Sequence, residues 1–278
     1  MIARAVRAAA LLTVPLLLSG CGGGTVAVPD SPPGTATDRA AGAAADRAAG
    51  AAADGTPAPD AERALGTAAG AGSPAAGAGG AADPGRIPGL GPRTRAAIPE
   101  RSTQVLVVTG KDGHAPYSTA VLHERTGTGW RAGAHWPAHN ALRGWTTHHT
   151  AGDLRSPIGV WGLSDAGGLK PDPGTRLPYH RSKAFTSPGT GFEGEPLTGS
   201  FDYVIAIDYN RRPGTSPLDW TRPLGAGRGG GIWLHVDHGG PTHGCVSLAE
   251  PHMRRLLATL DPDRHPVVVM GDAASLAR

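Results

Sequence analysis

Apolar residues recur along the second half of this chain with two spacings, and most segments show the period of two that suits a strand. Gln104–Thr109 is a short apolar run. Ser118–Arg125 and Trp130–Trp136 flank Thr126-Gly127-Thr128-Gly129, which reads as a hairpin connection. Ile158–Leu163 is entered through Pro157, and Phe201, Tyr203, Ile205, Ile207 and Tyr209 alternate so that one strand face is expected to carry all five. Ile232–Val236 follows the glycine-rich Gly225–Gly231, and Val267–Met270 is a last short strand. A single segment has the helical period: Met253, Leu256, Leu257 and Leu260 stand at i, i+3, i+4 and i+7. Ser247 and Glu250 have the spacing of a capping box ahead of it, with Pro251 leaving the first helical residue open. Short strands, Gly/Pro turns and one helix predict a mostly β domain, sandwich or barrel-like, over residues 99–278. That length suits one hydrophobic core.

Ahead of residue 99 the patterning stops. The segment 21–98 has no aromatic residue and is dominated by Ala, Gly, Pro, Asp and Thr; Asp38–Ala45 reads DRAAGAAA and Asp46–Ala53 repeats it. It holds no apolar stripe to bury, and Gly42 and Gly50 each cost a helix about 1 kcal/mol relative to Ala. A disordered tether is expected, with a reach of roughly 45–50 Å. Residues 1–20 read as an export signal. Arg4 and Arg7 precede the apolar stretch Ala8–Leu18, which is too short to span a bilayer. Leu18-Ser19-Gly20-Cys21 resembles a bacterial lipobox, in which Cys21 becomes the lipidated N-terminus; the alternative is an ordinary secretory signal with an incidental cysteine. On the lipobox reading the protein is extracytoplasmic, anchored by lipid to the cell membrane and facing the cell wall.

Composition narrows the function classes. With 43 Gly and 26 Pro among 278 residues the chain is about a quarter Gly and Pro, and its first aromatic residue is Tyr117, so the folded part lies toward the C-terminus. The 26 basic and 23 acidic residues leave a net charge of +3 with no basic run, so a nucleic-acid partner has no electrostatic footprint. The 2 cysteines exclude a disulfide scaffold and a four-cysteine zinc site. A bond between Cys21 and Cys245 stays open. If Cys21 carries lipid, Cys245 is the only thiol of the mature chain, and such a thiol is either buried and inert or reactive.

Candidate chemistry concentrates in His235-Val-Asp-His238-Gly-Gly-Pro-Thr242-His243-Gly244-Cys245, which holds three of the 12 histidines. A thiolate is a nucleophile, and a nearby imidazole can take its proton. The helix start expected just beyond Cys245 would add partial positive charge. Backbone N–H groups of His243, Gly244 and Cys245 could face a developing oxyanion. These features favour acyl transfer through a thioester. His238 and the His243 imidazole can equally be loop residues without a catalytic task. A rival is a zinc-dependent wall peptidase using His235, His238 and His243, with Cys245 a further ligand of suitable type. Gly225–Gly231 lacks the Lys-Ser/Thr of a phosphate loop and reads as a turn.

GIWLHV…GGPTHGCVS resembles the active-site signature of the L,D-transpeptidase (YkuD-type) catalytic domain, in its actinobacterial lipoprotein form. Ser156-Pro157-Ile158-Gly159-Val160-Trp161, Gly174–Tyr179 and Phe201–Asn210 resemble further stretches of it. The resemblance covers roughly residues 100–272. It implies an L,D-transpeptidase-like β-sandwich with one helix after the cysteine. It implies a peptidoglycan L,D-transpeptidase that forms 3→3 crosslinks through a thioester on Cys245, with L,D-carboxypeptidase action as the alternative. His235 would be the base, the carbonyl of Val236 its support, and His243 and Gly244 part of the oxyanion donors. Peptidoglycan stem peptides are the implied partners, no cofactor is implied, and a monomer is expected. Two departures stand out. His235 and Cys245 are close in sequence, and the Arg or Asn often found two residues after the cysteine is Ser247.

Overall fold

The computed structural model describes residues 85–278. The expected signal peptide, Cys21 and the tether as far as residue 84 lie outside the described residues. Helix α1 (Pro92–Ala96) precedes eleven strands: β1 (Gln104–Gly110), β2 (Tyr117–Thr126), β3 (Gly129–His139), β4 (Trp145–Thr146), β5 (Ser156–Pro157), β6 (Gly159–Gly168), β7 (Tyr179–Arg181), β8 (Val204–Ile207), β9 (Trp233–Val236), β10 (Val246–Leu248) and β11 (Val267–Asp272). Helix α2 (Glu250–Thr259) lies between β10 and β11, and α3 (Ala273–Leu276) ends the chain.

Nine of the strands form one sheet in the order β11-β1-β2-β3-β10-β9-β8-β6-β7. Strand β6 also pairs with β11: Gly159–Gly162 lies antiparallel to Val267–Met270, while Leu163, Ala166 and Gly167 pair with β8. The register shift between Leu163 and Ala166 lets one strand serve both neighbours. The sheet therefore closes on itself, more like a barrel than two facing sheets, and the mostly β class holds.

Closure gives the strands two buried faces, which is why β1, β8 and β11 read as continuous apolar runs. Inside, Leu106, Leu163, Ile205, Ile207, Leu234 and Leu248 pack with Met253, Leu256 and Leu257 of α2. Outside β1 and β11, Val105, Val107, Val267 and Val269 are covered by Ile87, Leu90 and Leu276. Outside β8, Val204 meets Phe185 and Leu218, with Phe201 and Trp233 against them.

Four expectations are corrected here. Ile87 and Leu90, expected in the tether, are buried; Gly91 N–H donates to Leu276 O at 2.8 Å, so the packed domain begins before residue 99. Strand β8 is only Val204–Ile207: Phe201 lies ahead of it, in a different cluster from Tyr203, Ile205, Ile207 and Tyr209. Helix α2 is capped at Ala249 without a side-chain bond, because the Ser247 hydroxyl donates instead to Asp237 Oδ1 at 2.7 Å. Finally, β10 stands between Cys245 and α2, so the helix does not start immediately beyond the cysteine as expected.

The burial of the N-terminal segment yields a measurable consequence. Leu90→Ala should cost ~2–5 kcal/mol in urea unfolding, as for other buried leucines; a change within ±0.5 kcal/mol, the range of exposed positions, would place residue 90 in the tether after all.

Candidate active site

Strands β9 and β10 run parallel, with Leu234 opposite Val246, Ser247 opposite His235 and Leu248 opposite Val236. Alternation sends Leu234, Val236, Val246 and Leu248 into the core. Trp233, His235 and Cys245 are left to line a cleft of about 130 Å³ on the other face. The same spacing carries Cys245 beside Trp233, whose N–H points at Sγ from 3.4 Å. The Cys245 thiol lies 3.6 Å from the carbonyl of Gly231.

His235 is 3% exposed. Its Nδ1 lies 2.8 Å from Val236 O. A carbonyl can only accept, so Nδ1 carries the proton and Nε2 is left with the lone pair. Burial pushes the imidazole pKa down to about 4, partly opposed by the bond to Val236 O. At neutral pH His235 is thus an uncharged base with a fixed tautomer.

The connection 237–245 between the two strands is tied down from several sides. Asp237 N–H donates to Leu248 O at 2.8 Å, and Thr242 exchanges main-chain bonds with Asn140 and Leu142 at 3.0 and 2.9 Å. The Thr242 hydroxyl donates to Cys245 O at 2.6 Å, and the Ser156 hydroxyl reaches the same oxygen at 3.4 Å. Asp237 accepts from Ser247 and sits 2.8 Å from His139 Nδ1. Burial raises its pKa, but the bonds from His139 and Ser247 outweigh this and bring the carboxyl to about 2, while His139 is held above the ordinary histidine value by that carboxylate. Gly244 has Ile232 against it: a Cβ there would come within 2.9 Å of Ile232 Cδ1.

His238 and His243 are held by a small hairpin, residues 189–197, closed by the Thr190–Pro196 bridge and by Gly191 N–H to Glu195 O at 2.8 Å. Glu195 Oε1 is 3.1 Å from His238 Nδ1, and both side chains are largely buried. The Phe192 ring lies 4.6 Å from that of His243. His238 also stacks on His235 at 5.7 Å, nearly parallel. This pair was not legible in the sequence, because Glu195 is more than forty positions away and only the docked hairpin brings it near. His149 was missed for a similar reason. It is buried edge-on against Tyr209 and within reach of Gly229 and Gly244, packed behind the cysteine loop. Its Nδ1 is 3.0 Å from Asp153 Oδ1 without the alignment of a hydrogen bond.

The zinc reading does not fit this arrangement. The rings of His235 and His238 are stacked nearly parallel rather than convergent on one point. Among the described residues no three His, Cys, Asp or Glu side chains are grouped to hold a metal ion.

Residues 149–269 match the family model for the YkuD L,D-transpeptidase catalytic domain. No curated protein matches the chain. Among solved structures, that of Bdellovibrio bacteriovorus Bd1075 is similar at 16% identity and a TM-score of 0.34, over 66% of this chain and 51% of that one. The chain spans about half the length of that protein.

The buried His235 should make the protein acid-sensitive. Its folded pKa of about 4 lies below the ordinary 6.5, so the unfolded chain takes up the proton first as pH falls. The neutral imidazole's contribution is complete above pH 6.5 and is lost between about 6.5 and 4, ~3 kcal/mol at about 1.4 kcal/mol per unit. Urea midpoints of the wild type should fall more steeply over that window than those of His235→Asn; parallel curves would assign the acid sensitivity to other groups.

Proposed function

We propose that this chain, whose residues 149–269 form a YkuD L,D-transpeptidase catalytic domain, acts on peptidoglycan stem peptides and forms 3→3 crosslinks through a thioester on Cys245. The observation that carries the reading is the cleft shared by Cys245 and His235, which the parallel strands bring to the same face within the matched segment.

His235 Nε2 takes the proton of the Cys245 thiol, while Val236 O holds the Nδ1 proton and steadies the imidazolium that forms. The sulfur attacks the carbonyl carbon of the third stem residue. Backbone N–H groups of His243, Gly244 and Cys245 would be the donors to the resulting oxyanion. The C–N bond then breaks, and the imidazolium returns its proton to the departing amine of the terminal D-Ala. In the second half an amine of another stem gives its proton to His235 and attacks the thioester. The C–S bond breaks and the thiolate recovers the proton. Water in place of the amine gives the carboxypeptidase outcome. The Trp233 N–H, 3.4 Å from Sγ, is placed to favour negative charge on sulfur at both stages.

The N-terminal features extend the proposal. A lipid on Cys21 and the tether after it would hold the domain outside the membrane, facing the wall, as a monomer. Globomycin treatment of producing cells, which blocks processing of lipid-modified precursors, should leave the precursor uncleaved. Unchanged cleavage would mean an ordinary secretory signal.

The catalytic assignment is tested by intact mass. The full chain incubated with a tetrapeptide stem or a carbapenem should gain an acyl adduct that Cys245→Ala lacks. Product analysis with tetrapeptide stems should give 3→3 dimers. No adduct on the wild type, or the same adduct on Cys245→Ala, would overturn the thiol mechanism, and tripeptides alone would make the enzyme a carboxypeptidase.

A further inference from the structure

Of the side chains that line the cleft, Arg222 alone carries a permanent charge; the remainder are apolar, hydroxyl-bearing, histidine, the Cys245 thiol or glycine. It is half-buried and well braced. Its guanidinium carbon lies 4.6 Å over the Trp220 ring, and Nη1 donates to the carbonyls of Asp219 and Thr221 at 3.1 Å each. A guanidinium stacked and bonded in this way is held in a fixed orientation, with its charge beside the cleft.

Arg222 is also close to the reacting sulfur by construction. Its side chain crosses Gly230 and Gly231. A Cβ on Gly230 would come within 2.2 Å of Arg222 Nε, and one on Gly231 within 3.4 Å of Nη2. Gly231 O is the atom 3.6 Å from Cys245 Sγ. Both glycines have positive φ, 146° and 66°, so the backbone here suits glycine and leaves the arm its path. Ser247 cannot supply a cation to the cleft. It is fully buried and its hydroxyl is committed to Asp237.

We propose that Arg222, braced by Trp220, binds a carboxylate of the donor stem peptide and so selects which peptide ends reach Cys245. The assignment rests on the stem-peptide reading above. A stem can offer a carboxylate from two sources: the terminus of the residue that is released, or the side chain of the third residue where that residue carries one. A cation beside the cleft would hold either one near the scissile carbonyl.

The test uses the full chain carrying Cys245→Ala, so that binding is read without turnover. Calorimetry compares three tetrapeptide stems: the free acid, the C-terminal amide and the third-residue side-chain amide. One amide should bind roughly ten- to hundredfold more weakly than the free acid. Adding R222Q should remove that difference, while R222K should keep part of it. The amide that loses affinity identifies the carboxylate. Equal binding of all three stems, or full discrimination surviving in R222Q, overturns the proposal. Should R222Q fail to fold, R222K carries the test: it must weaken the acid stem and spare the amide, and equal effects on both overturn it. The underlying reading is tested separately by acylation of the chain with Cys245 intact. Discrimination without any acyl adduct would defeat the transpeptidase and leave the carboxylate site standing.

Discussion

Leu234 pairs with Val246, and Val236 with Leu248, in parallel strands joined only by the segment 237–245. That pairing orders everything else in the cleft. Because successive residues alternate across a sheet, sealing those four side chains into the core forces Trp233, His235 and Cys245 to the opposite face. A slip of one residue in either strand would bury the thiol in the core or turn the imidazole away from it. The bonds from Thr242 to Asn140 and Leu142, and from Asp237 to Leu248, oppose such a slip.

Electrostatics around this pairing are divided between two shells of different character. His235 is neutral because it is buried, and its tautomer is set by Val236 O. The surrounding loop is rigidified by charge: Asp237 binds His139 and Ser247, and Glu195 sits against His238. The carboxylates of Asp237 and Glu195 thus engage His139 and His238, while the Nδ1 of His235 is held by a main-chain carbonyl. Arg222 adds a single positive charge next to the backbone that touches the sulfur.

Much of the β-rich class was legible, because runs such as 105–108 and 267–270 are apolar without interruption and α2 has a clean 3.6-residue period. The errors share a cause. Ser247 and Glu250 have capping-box spacing, yet Ser247 sits in a strand and binds Asp237, a partner brought in by the parallel pairing. Ile87 and Leu90 stand in Gly/Pro-rich sequence, and their burial depends on a surface created by β1 and β11 far along the chain. Phe201 fits the alternation of its neighbours but precedes the strand, and a second cluster captures it.

By itself the sequence determined where the candidate chemistry gathers: a thiol and three histidines within one short glycine-containing motif, on a chain without the charge pattern for nucleic acid. It determined the local periods as well, since those depend only on neighbouring side chains. Tertiary structure decided the rest: the closure of the sheet through β6, the face on which Cys245 and His235 emerge, the burial that keeps His235 neutral, and the arrival of Glu195 and Arg222. Most of these come from contacts between residues distant in sequence, where solvent exclusion and register act and local propensity has no say.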